Sequence, residues 1–160
     1  MNLSPVKIDI PDEANVIVGQ THFIKTVEDL YEVCATGSLS LKFGIAFCEA
    51  SQERLIRWDG NDKDLIDAAV ASAQAIAAGH VFVIFMRGGF PINVLNAIKA
   101  CPEVCTVFCA TANPLEVIVA ESANGRGVAG VIDGETPAGV ETEEHQQVRK
   151  DFLRKIGYKR

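Results

Sequence analysis

The chain has 160 residues, of which 48% are apolar and 22% are charged, and these values are ordinary for one globular domain with a sizeable core. Its net charge of −6 argues against a nucleic-acid or anionic-membrane partner, because either would need a basic face. No apolar stretch approaches the ~20 residues that span a bilayer, and the first residues lack the pattern of a signal peptide. We therefore expect a cytoplasmic protein.

The cysteines agree with a reducing compartment, because their number is odd and most of them lie in apolar runs. They are Cys34, Cys48, Cys101, Cys105 and Cys109. The last three are spaced by four residues, but no CxxC pair or nearby histidine completes a zinc site. We expect buried, reduced thiols and no metal site.

The first half of the chain alternates between strand and helix patterns. The segment TVEDLYEVCATG has apolar residues at i, i+3, i+4 and i+7, which predicts a helix that Thr26 caps and Gly37 ends. A turn at 59–62 precedes a second helix with a broad apolar stripe. The predicted strands are 6–10, 15–19, 41–50 and 55–58, and the predicted helices are 26–37 and 63–79.

The second half begins with six apolar residues directly after His80, and unbroken apolarity indicates a strand covered on both faces. Pro91 suits the first position of a helix, and NGRG at 124–127 predicts a hairpin turn. The predicted strands are 80–86, 104–110, 116–121 and 128–133, and the predicted helices are 91–98 and 143–156. This order predicts one α/β domain over 1–160, with a mixed β-sheet flanked by helices.

Four polar stretches directly follow predicted strands, which is where α/β sheets place their chemistry. They are GQTHFIKT, EASQER, RGGFPIN and ATANPLE. We expect them to converge on one rim of the sheet.

The stretch VIVGQTHFIKT (16–26) has the outline of a phosphate loop: strand, glycine, loop, Lys-Thr and helix. The second glycine of that motif should stand at position 24, where the β-branched Ile24 resists the positive φ that wraps a phosphate. We therefore reject the motif. Two interpretations of the Lys-Thr pair at the end of this stretch stay open. In one, Lys25, Thr26 and the helix N-terminus hold one phosphate. In the other, Thr26 only caps the helix and Lys25 is solvated.

The histidines differ in their surroundings. His22 lies in this loop, where an imidazole can act as an acid, a base or a phosphoryl-accepting nucleophile, or can simply bond to the backbone. His80 opens a buried strand, which favours a structural role. His145 falls on the polar face of the last helix and is assigned no function.

Other polar residues at strand ends are candidate nucleotide contacts, and each has an ordinary structural alternative. Arg87, beside two glycines, can approach an anion or can belong to a tight turn. Phe90 can stack on a base or fill the core. Asn93 and Asn113 have the donor and acceptor pairs that read a purine edge.

Glu49 and Arg126 complete the set of candidates, together with Gln20 of the loop that contains His22. Glu49, at the end of a strand, can serve as a base or bind ribose hydroxyls, although such glutamates are usually solvated. Arg126 is either a surface turn residue or a second phosphate contact.

Six segments, spread over the chain from about Asn15 to Gly139, together resemble one family of small proteins. They are GQTHFIKTVEDLYE, KFGIAFCEAS, RWDGND, FPINVLNAIK, PEVCTVFCATANPLEVIVAE and GRGVAGVIDG. These long and distinctive segments resemble the adenosine-specific kinase family of archaea and bacteria.

The resemblance implies a small α/β protein that binds adenosine and AMP rather than ADP or ATP, carries a phosphorylated histidine and forms a homotrimer. His22, in the motif GQTHFIKT, becomes the first candidate for the phosphorylated residue, and His80 is the second. Lys25, with Arg87 or Arg126, would neutralise the phosphate, while Asn and Glu side chains would read the nucleoside.

A different class of function is the alternative: a non-catalytic sensor in which bound AMP stabilises an oligomer. Adenosine or AMP is the expected ligand in both cases. The residues leave open which compound donates the phosphate and whether magnesium is needed.

Overall fold

Eight strands and four α-helices follow one another in the computed structural model, which describes residues 1–160. The strands are β1 (Asn2–Ile8), β2 (Asn15–Thr21), β3 (Lys42–Cys48), β4 (Ile56–Gly60), β5 (Val81–Arg87), β6 (Val104–Thr111), β7 (Leu115–Ser122) and β8 (Gly125–Asp133). The helices are α1 (Thr26–Gly37), α2 (Lys63–Ile76), α3 (Leu95–Ala100) and α4 (Glu143–Lys155), and a 3-10 turn spans Pro91–Asn93. None of the helices has the length and apolarity that crossing a bilayer requires.

The strands form two sheets in which every pairing is antiparallel. The central sheet has five strands in the order β4-β3-β5-β2-β6, and the smaller sheet has three in the order β1-β7-β8. The predicted α/β fold is confirmed, but its sheet arrangement differs from the single mixed sheet we expected. The reason is that β5 inserts between β2 and β3, so the two parallel strands that α1 connects never pair with each other.

The central sheet is covered on both faces. Residues Val81–Met86 are each at most 1% exposed, which confirms the strand predicted after His80. One face packs against α1 and α3 through a cluster of 12 buried residues. The other face packs against α2 and the smaller sheet through a cluster of 17 buried residues.

Helix α2 lies directly on β3 because Gly44 leaves room for it. A Cβ at Gly44 would be 2.2 Å from the backbone nitrogen of Ile66, so only a glycine permits this approach. The Asp62 carboxylate caps α2 by accepting from the N–H of Leu65 at 3.2 Å. The helix ends at Ile76 rather than at the predicted 79, because Ala77 turns into the left-handed conformation with φ of 49°.

Several other boundaries differ from the predictions. Strand β1 begins at Asn2 instead of residue 6 and includes Pro5, which is tolerated because β1 is an edge strand. The predicted helix 91–98 is a 3-10 turn followed by α3. Thr26 is the first residue of α1 rather than its cap, and the cap residue, Lys25, makes no side-chain capping bond.

The cysteines are all free, but they are not all buried. Cys34 and Cys48 are buried, and burial raises the pKa of their thiols to about 12 and about 11. Cys101 and Cys109 are half-buried and Cys105 is exposed, so the expectation of buried thiols is wrong for Cys105. Cys105 is exposed because it lies on β6, the edge strand of the central sheet, which has a neighbour on one side only.

Candidate functional site

Strained backbone is concentrated at one edge of the central sheet, which we call the histidine edge. It consists of the loops 21–25, 49–55 and 77–80. Four of the five non-glycine residues with positive φ in the molecule lie there: Gln52 (52°), Arg54 (54°), Ala77 (49°) and His80 (64°). Because such conformations are costly and tend to persist where function needs them, this edge is the first place to look for a site.

Glu49 lies at the centre of the histidine edge, and its side chain is 8% exposed. Its Oε1 is 3.7 Å from Nε2 of His80, and its Oε2 is 3.4 Å from Nε of Arg57. Burial alone would raise the pKa of this carboxyl, but the N–H of Ala50 and the Arg57 guanidinium outweigh that effect and hold the pKa below its ordinary value. Glu49 is therefore a well-held anion.

His80 is fixed by its backbone and by its ring. Its N–H donates to the carbonyl of Cys48 at 2.7 Å, and its carbonyl accepts from Thr21 at 3.0 Å. The ring stacks on Phe47, with centroids 5.9 Å apart and an angle of 8° between the planes. One ring nitrogen thus faces the Glu49 carboxylate, at a distance that is longer than a hydrogen bond but close enough for electrostatic pairing.

His22 lines the same cavity as His80 and Glu49. This cavity, the histidine cavity, has a volume of about 280 Å³, and both histidines, Glu49 and Arg57 contribute to its lining. The backbone N–H of His22 donates to the carbonyl of Glu103 at 3.0 Å. Its ring has a tilted contact with Phe23, at 6.3 Å between centroids, and no hydrogen bond within the chain.

Arg57 is the residue of this site that the sequence analysis missed. Its signal was present, because β3 and β4 form a hairpin in which Arg57 lies opposite Phe47 and Leu55 bonds to Glu49. Since side chains alternate between faces along a strand, this register places Arg57 and Glu49 on the same face. The alternation of LIRW, combined with the hairpin, would have identified it.

A second cavity adjoins the first on the other side of Glu49. This Gln74 cavity has a volume of about 490 Å³ and lies at the end of α2. Its polar lining residues are Glu49, Arg54, Gln74, Asn124 and Arg126, and its apolar lining includes Ile56, Ala77 and Ala78. The predicted candidates Glu49 and Arg126 are therefore brought together here.

The side chains of Lys25 and Thr26 already have partners within the chain. The Lys25 ammonium pairs with Asp29 and lies 3.7 Å from Oε2 of Glu103. The Asp29 hydrogen bond is the main cause that raises the pKa of Lys25. Thr26 is fully buried, and its hydroxyl lies 2.6 Å from the carbonyl of Phe23 and 2.8 Å from the hydroxyl of Thr21.

The N-terminus of α1 also offers few free donors. The N–H of Thr26 bonds to Phe23, and those of Glu28 and Asp29 bond to Lys25. Two acidic residues, Glu28 and Asp29, stand in the first turn. Of the two interpretations of this stretch, the geometry therefore favours the structural role of Thr26, although Lys25 is held by carboxylates and not simply solvated.

The opposite edge of the central sheet, which we call the far edge, contains four more candidates: Arg87, Phe90, Asn93 and Asn113. Arg87 donates to the carbonyl of Asp12 at 2.8 Å, and Asn93 accepts from the N–H of Phe90 at 2.9 Å. Asn113 donates to Asp133 at 3.1 Å, and together with Phe90 it lines a third cavity of about 620 Å³, the Phe90 cavity.

The expectation that the four polar stretches lie on one rim of the sheet is therefore wrong. β2 and β3 end at the histidine edge, whereas β5 and β6 pair antiparallel to β2 and so end at the far edge. Strands of seven residues separate the two edges by roughly 20 Å. Gln20 lies within β2, between Val81 and Thr106, and lines none of the three cavities.

No group of three or more His, Cys, Asp or Glu side chains in the chain is arranged to hold a metal ion. The chemistry that the histidine edge offers is that of an imidazole beside a carboxylate and a guanidinium. A carboxylate can orient an imidazole and stabilise its charged form, and a guanidinium can bind a phosphate through paired hydrogen bonds. The arrangement suits nucleophilic chemistry on a phosphoryl group.

Comparisons with known proteins agree over nearly the whole length. The family model described as "Adenosine specific kinase" matches residues 6–159. The chain is similar to the PH1918 protein from Pyrococcus horikoshii OT3, whose crystal structure it matches at 44% identity and a TM-score of 0.95, over 99% of this chain and 98% of that one. None of the curated proteins matches. The family model and the fold together place this chain in the adenosine-specific kinase family.

Proposed function

We propose that the protein is an adenosine- and AMP-binding phosphotransferase that acts through a phosphorylated histidine. Membership of the adenosine-specific kinase family supports the activity and the nucleoside. One observation carries the mechanism: two histidines, a buried carboxylate and an arginine line a single cavity at the histidine edge.

His80 is the better placed of the two histidines to carry the phosphoryl group. Stacking on Phe47 fixes its ring, and Glu49 faces Nε2, which favours the tautomer with a hydrogen on that nitrogen and a lone pair on Nδ1. The ring of His22 has no such orienting partner. Our proposal therefore assigns the phosphoryl group to His80, and the experiment below tests this assignment against the sequence-based prediction of His22.

The first step takes a phosphoryl group from a phosphoric anhydride. Nδ1 of His80 attacks the terminal phosphorus, so that an N–P bond forms as the P–O bond to the leaving group breaks, and the leaving oxygen keeps the electron pair. The ring then carries a positive charge, which the Glu49 carboxylate offsets. The Arg57 guanidinium, already held beside Glu49, neutralises the transferred phosphoryl oxygens.

The second step transfers the group to adenosine. The 5′-hydroxyl oxygen attacks phosphorus, the N–P bond breaks, and its electron pair returns to Nδ1. The hydroxyl proton passes to solvent, while Glu49 stays ionised beside Nε2 of His80. AMP leaves, and His80 returns to its starting state.

Intact-protein mass spectrometry tests this mechanism. The protein is treated with phosphoramidate, a small donor that phosphorylates histidine, and the mass increment of one phosphate should disappear after brief acid treatment because a phosphoramidate bond is acid-labile. His80→Gln should lose the increment, and His22→Gln should keep it. The reverse result would assign the phosphoryl group to His22.

A labelled phosphoprotein should also pass its phosphate to adenosine and yield labelled AMP. If the wild-type protein takes up no acid-labile phosphate from phosphoramidate, a nucleoside triphosphate or an acyl phosphate, the phosphohistidine mechanism is wrong. Tight AMP binding in that case would support the sensor function.

Our proposal also includes a cytoplasmic location and a homotrimer. The free state of all five cysteines supports a reducing compartment. Helix α4 has no buried residue, although it carries apolar side chains, and this supports contact with another copy of the chain.

A further inference from the structure

We infer that the Gln74 cavity is the nucleoside compartment of this protein, and that adenosine lies in it with its 5′ end directed across Glu49 toward His80. This inference rests on the proposed function, because it supplies the binding site for the acceptor of the phosphoryl group. It divides the site into two parts: the histidine cavity for the phosphoryl group and the Gln74 cavity for the base and sugar.

The wall between the two cavities is thin. Glu49 contributes to the lining of both, and its neighbours Ala50 and Ser51 face different sides. Gly79 and His80 are likewise divided between the cavities. A Cβ at Gly79 would be 3.0 Å from the Cβ of Ala50, so the absence of a side chain allows the two loops to approach closely. A ligand in one cavity is therefore adjacent to groups in the other.

The volumes suit this division. Pockets for small organic ligands are usually about 300–1,000 Å³, and the Gln74 cavity, at about 490 Å³, falls within that range. The histidine cavity, at about 280 Å³, falls below it but has room for a phosphoryl group between Arg57 and the imidazoles. A whole nucleotide fits the pair of cavities better than either one alone.

The lining of the Gln74 cavity has the mixed character that a nucleoside needs. Ile56, Ala77 and Ala78 offer an apolar surface for the flat face of a base. Gln74 and Asn124 carry amides, each with a donor and an acceptor, which is the pairing that an adenine edge requires. Glu49 can accept hydrogen bonds from ribose hydroxyls.

Arg126 has a buried donor that no group of the chain satisfies. Its Nη1 donates to the carbonyl of Ala75 at 3.2 Å, and this bond holds the guanidinium at the end of α2. Its Nε, however, is buried without a hydrogen-bond partner, and the nearest carboxylate oxygen, on Glu121, is 3.8 Å away. A buried donor left unpaired is costly, and a ligand acceptor in this cavity would satisfy it.

The Phe90 cavity is larger than the Gln74 cavity, but it lies too far from the histidines to hold the adenosine that accepts the phosphoryl group. It lies at the far edge, roughly 20 Å from His80 by the length of the strands between them. Direct transfer requires the reacting atoms to approach within ~3–3.5 Å. Within one chain, a nucleoside beside Phe90 and Asn113 cannot meet a phosphoryl group on either histidine.

The test compares two substitutions that fill different cavities with the same side chain. Gln74→Trp blocks the Gln74 cavity, and Ala112→Trp blocks the Phe90 cavity; both positions are exposed, so both variants should fold. Calorimetry should show adenosine affinity falling more than about tenfold in Gln74→Trp and little change in Ala112→Trp. Arg126→Lys, which removes the forked donors, should also weaken adenosine binding.

The same variants are treated with phosphoramidate, which needs no nucleoside compartment. Gln74→Trp should still acquire the acid-labile phosphate, and this shows that the histidine cavity is intact. If Ala112→Trp rather than Gln74→Trp loses adenosine binding, the nucleoside compartment is misplaced while the proposed function stands. If the wild-type protein binds no adenosine, both fail; if it binds adenosine in the Gln74 cavity but takes up no phosphate, only the phosphohistidine mechanism fails.

Discussion

Glu49 has three neighbours that depend on its charge. It faces His80, accepts from Ala50 at 3.0 Å and pairs with Arg57, and it does this with a side chain that is almost wholly enclosed. Removing one member of such a buried group leaves the others unsatisfied, which costs more than the net value of the interaction itself. Glu49 should therefore affect stability and chemistry together.

The pH dependence of stability tests the state of Glu49. Its folded-state pKa lies below the ordinary value of 4.5, so the ionised carboxylate stabilises the fold above that value, and the contribution is lost as the pH falls through the folded-state pKa. We expect Glu49→Gln to lower the free energy of unfolding at neutral pH, with a difference from wild type that shrinks in acid. Urea denaturation over a pH series measures both.

Glu53→Gln is the matched control, because Glu53 is an exposed glutamate of the same loop that forms no ion pair. Its effect on the free energy of unfolding should be small throughout the series. A Glu49→Gln difference that stays constant from neutral pH into acid would contradict the assignment of a stabilising anion.

The contact between α2 and β3 positions both cavities. Helix α2 ends beside the Gln74 cavity, and Glu49 directly follows β3, so a shift between the helix and the strand would move one wall of the site against the other. Gly44 is where their backbones meet most closely.

Gly44→Ala should destabilise the protein by more than about 2 kcal/mol, because overpacking a filled core commonly costs ~1–3 kcal/mol and this Cβ would meet rigid backbone rather than a movable side chain. Gly127→Ala is the control, since nothing lies within 4 Å of a Cβ at that position. Its effect should stay within about 0.5 kcal/mol. Equal midpoints in urea for the two variants would show that α2 does not rest on β3 as described.

The sequence predicted the elements better than their arrangement. Helix α1 occupies the residues that its apolar spacing indicated, because that signal is contained within one segment. The insertion of β5 between β2 and β3 depends on pairing between distant segments, and local patterns carry no information about it. The order of strands also decides which strand ends share an edge.

This is why the predicted site was correct in part. Glu49, His22 and His80 come together at the histidine edge, whereas Arg87 and Asn113 lie at the far edge, since their strands run in the opposite direction. Arg57 was missed because it lies within a strand, and attention to loops alone overlooks a strand residue that faces a cavity.

Helix α4 carries apolar side chains, but none of its residues is buried. Val148, Phe152 and Ile156 recur every four residues and therefore form one stripe, yet they are 63%, 56% and 45% exposed. Residues 149–160 also carry six basic and one acidic residue, in a chain with 15 basic and 21 acidic residues. The C-terminal half of α4 and the residues after it therefore combine apolar and basic side chains in an acidic chain, and we propose a second copy of this chain as the partner that α4 contacts.

The outer face of the smaller sheet is a suitable surface for that helix. Leu3, Ala120 and Gly127 lie opposite one another across β1, β7 and β8, and Leu3 is 66% exposed. A Cβ would meet nothing within 4 Å at Gly127, so the face is open and flat on the β8 side. A neighbouring α4 could cover this apolar row.

We expect light scattering to give the mass of three copies of the 17.2 kDa chain, and Phe152→Glu to reduce it toward that of one copy, because the new charge would have to be buried in the apolar stripe. Gln146→Glu is the matched control: it adds the same charge about 160° around the helix from Val148, at 100° per residue, and should leave the mass unchanged. A wild-type protein that scatters as a monomer at micromolar concentration would contradict the trimer.

Leu3→Glu tests which surface α4 covers. If α4 covers the smaller sheet, this variant should weaken association as Phe152→Glu does. A Leu3→Glu variant that stays trimeric while Phe152→Glu dissociates would place α4 on another surface of the neighbouring copy.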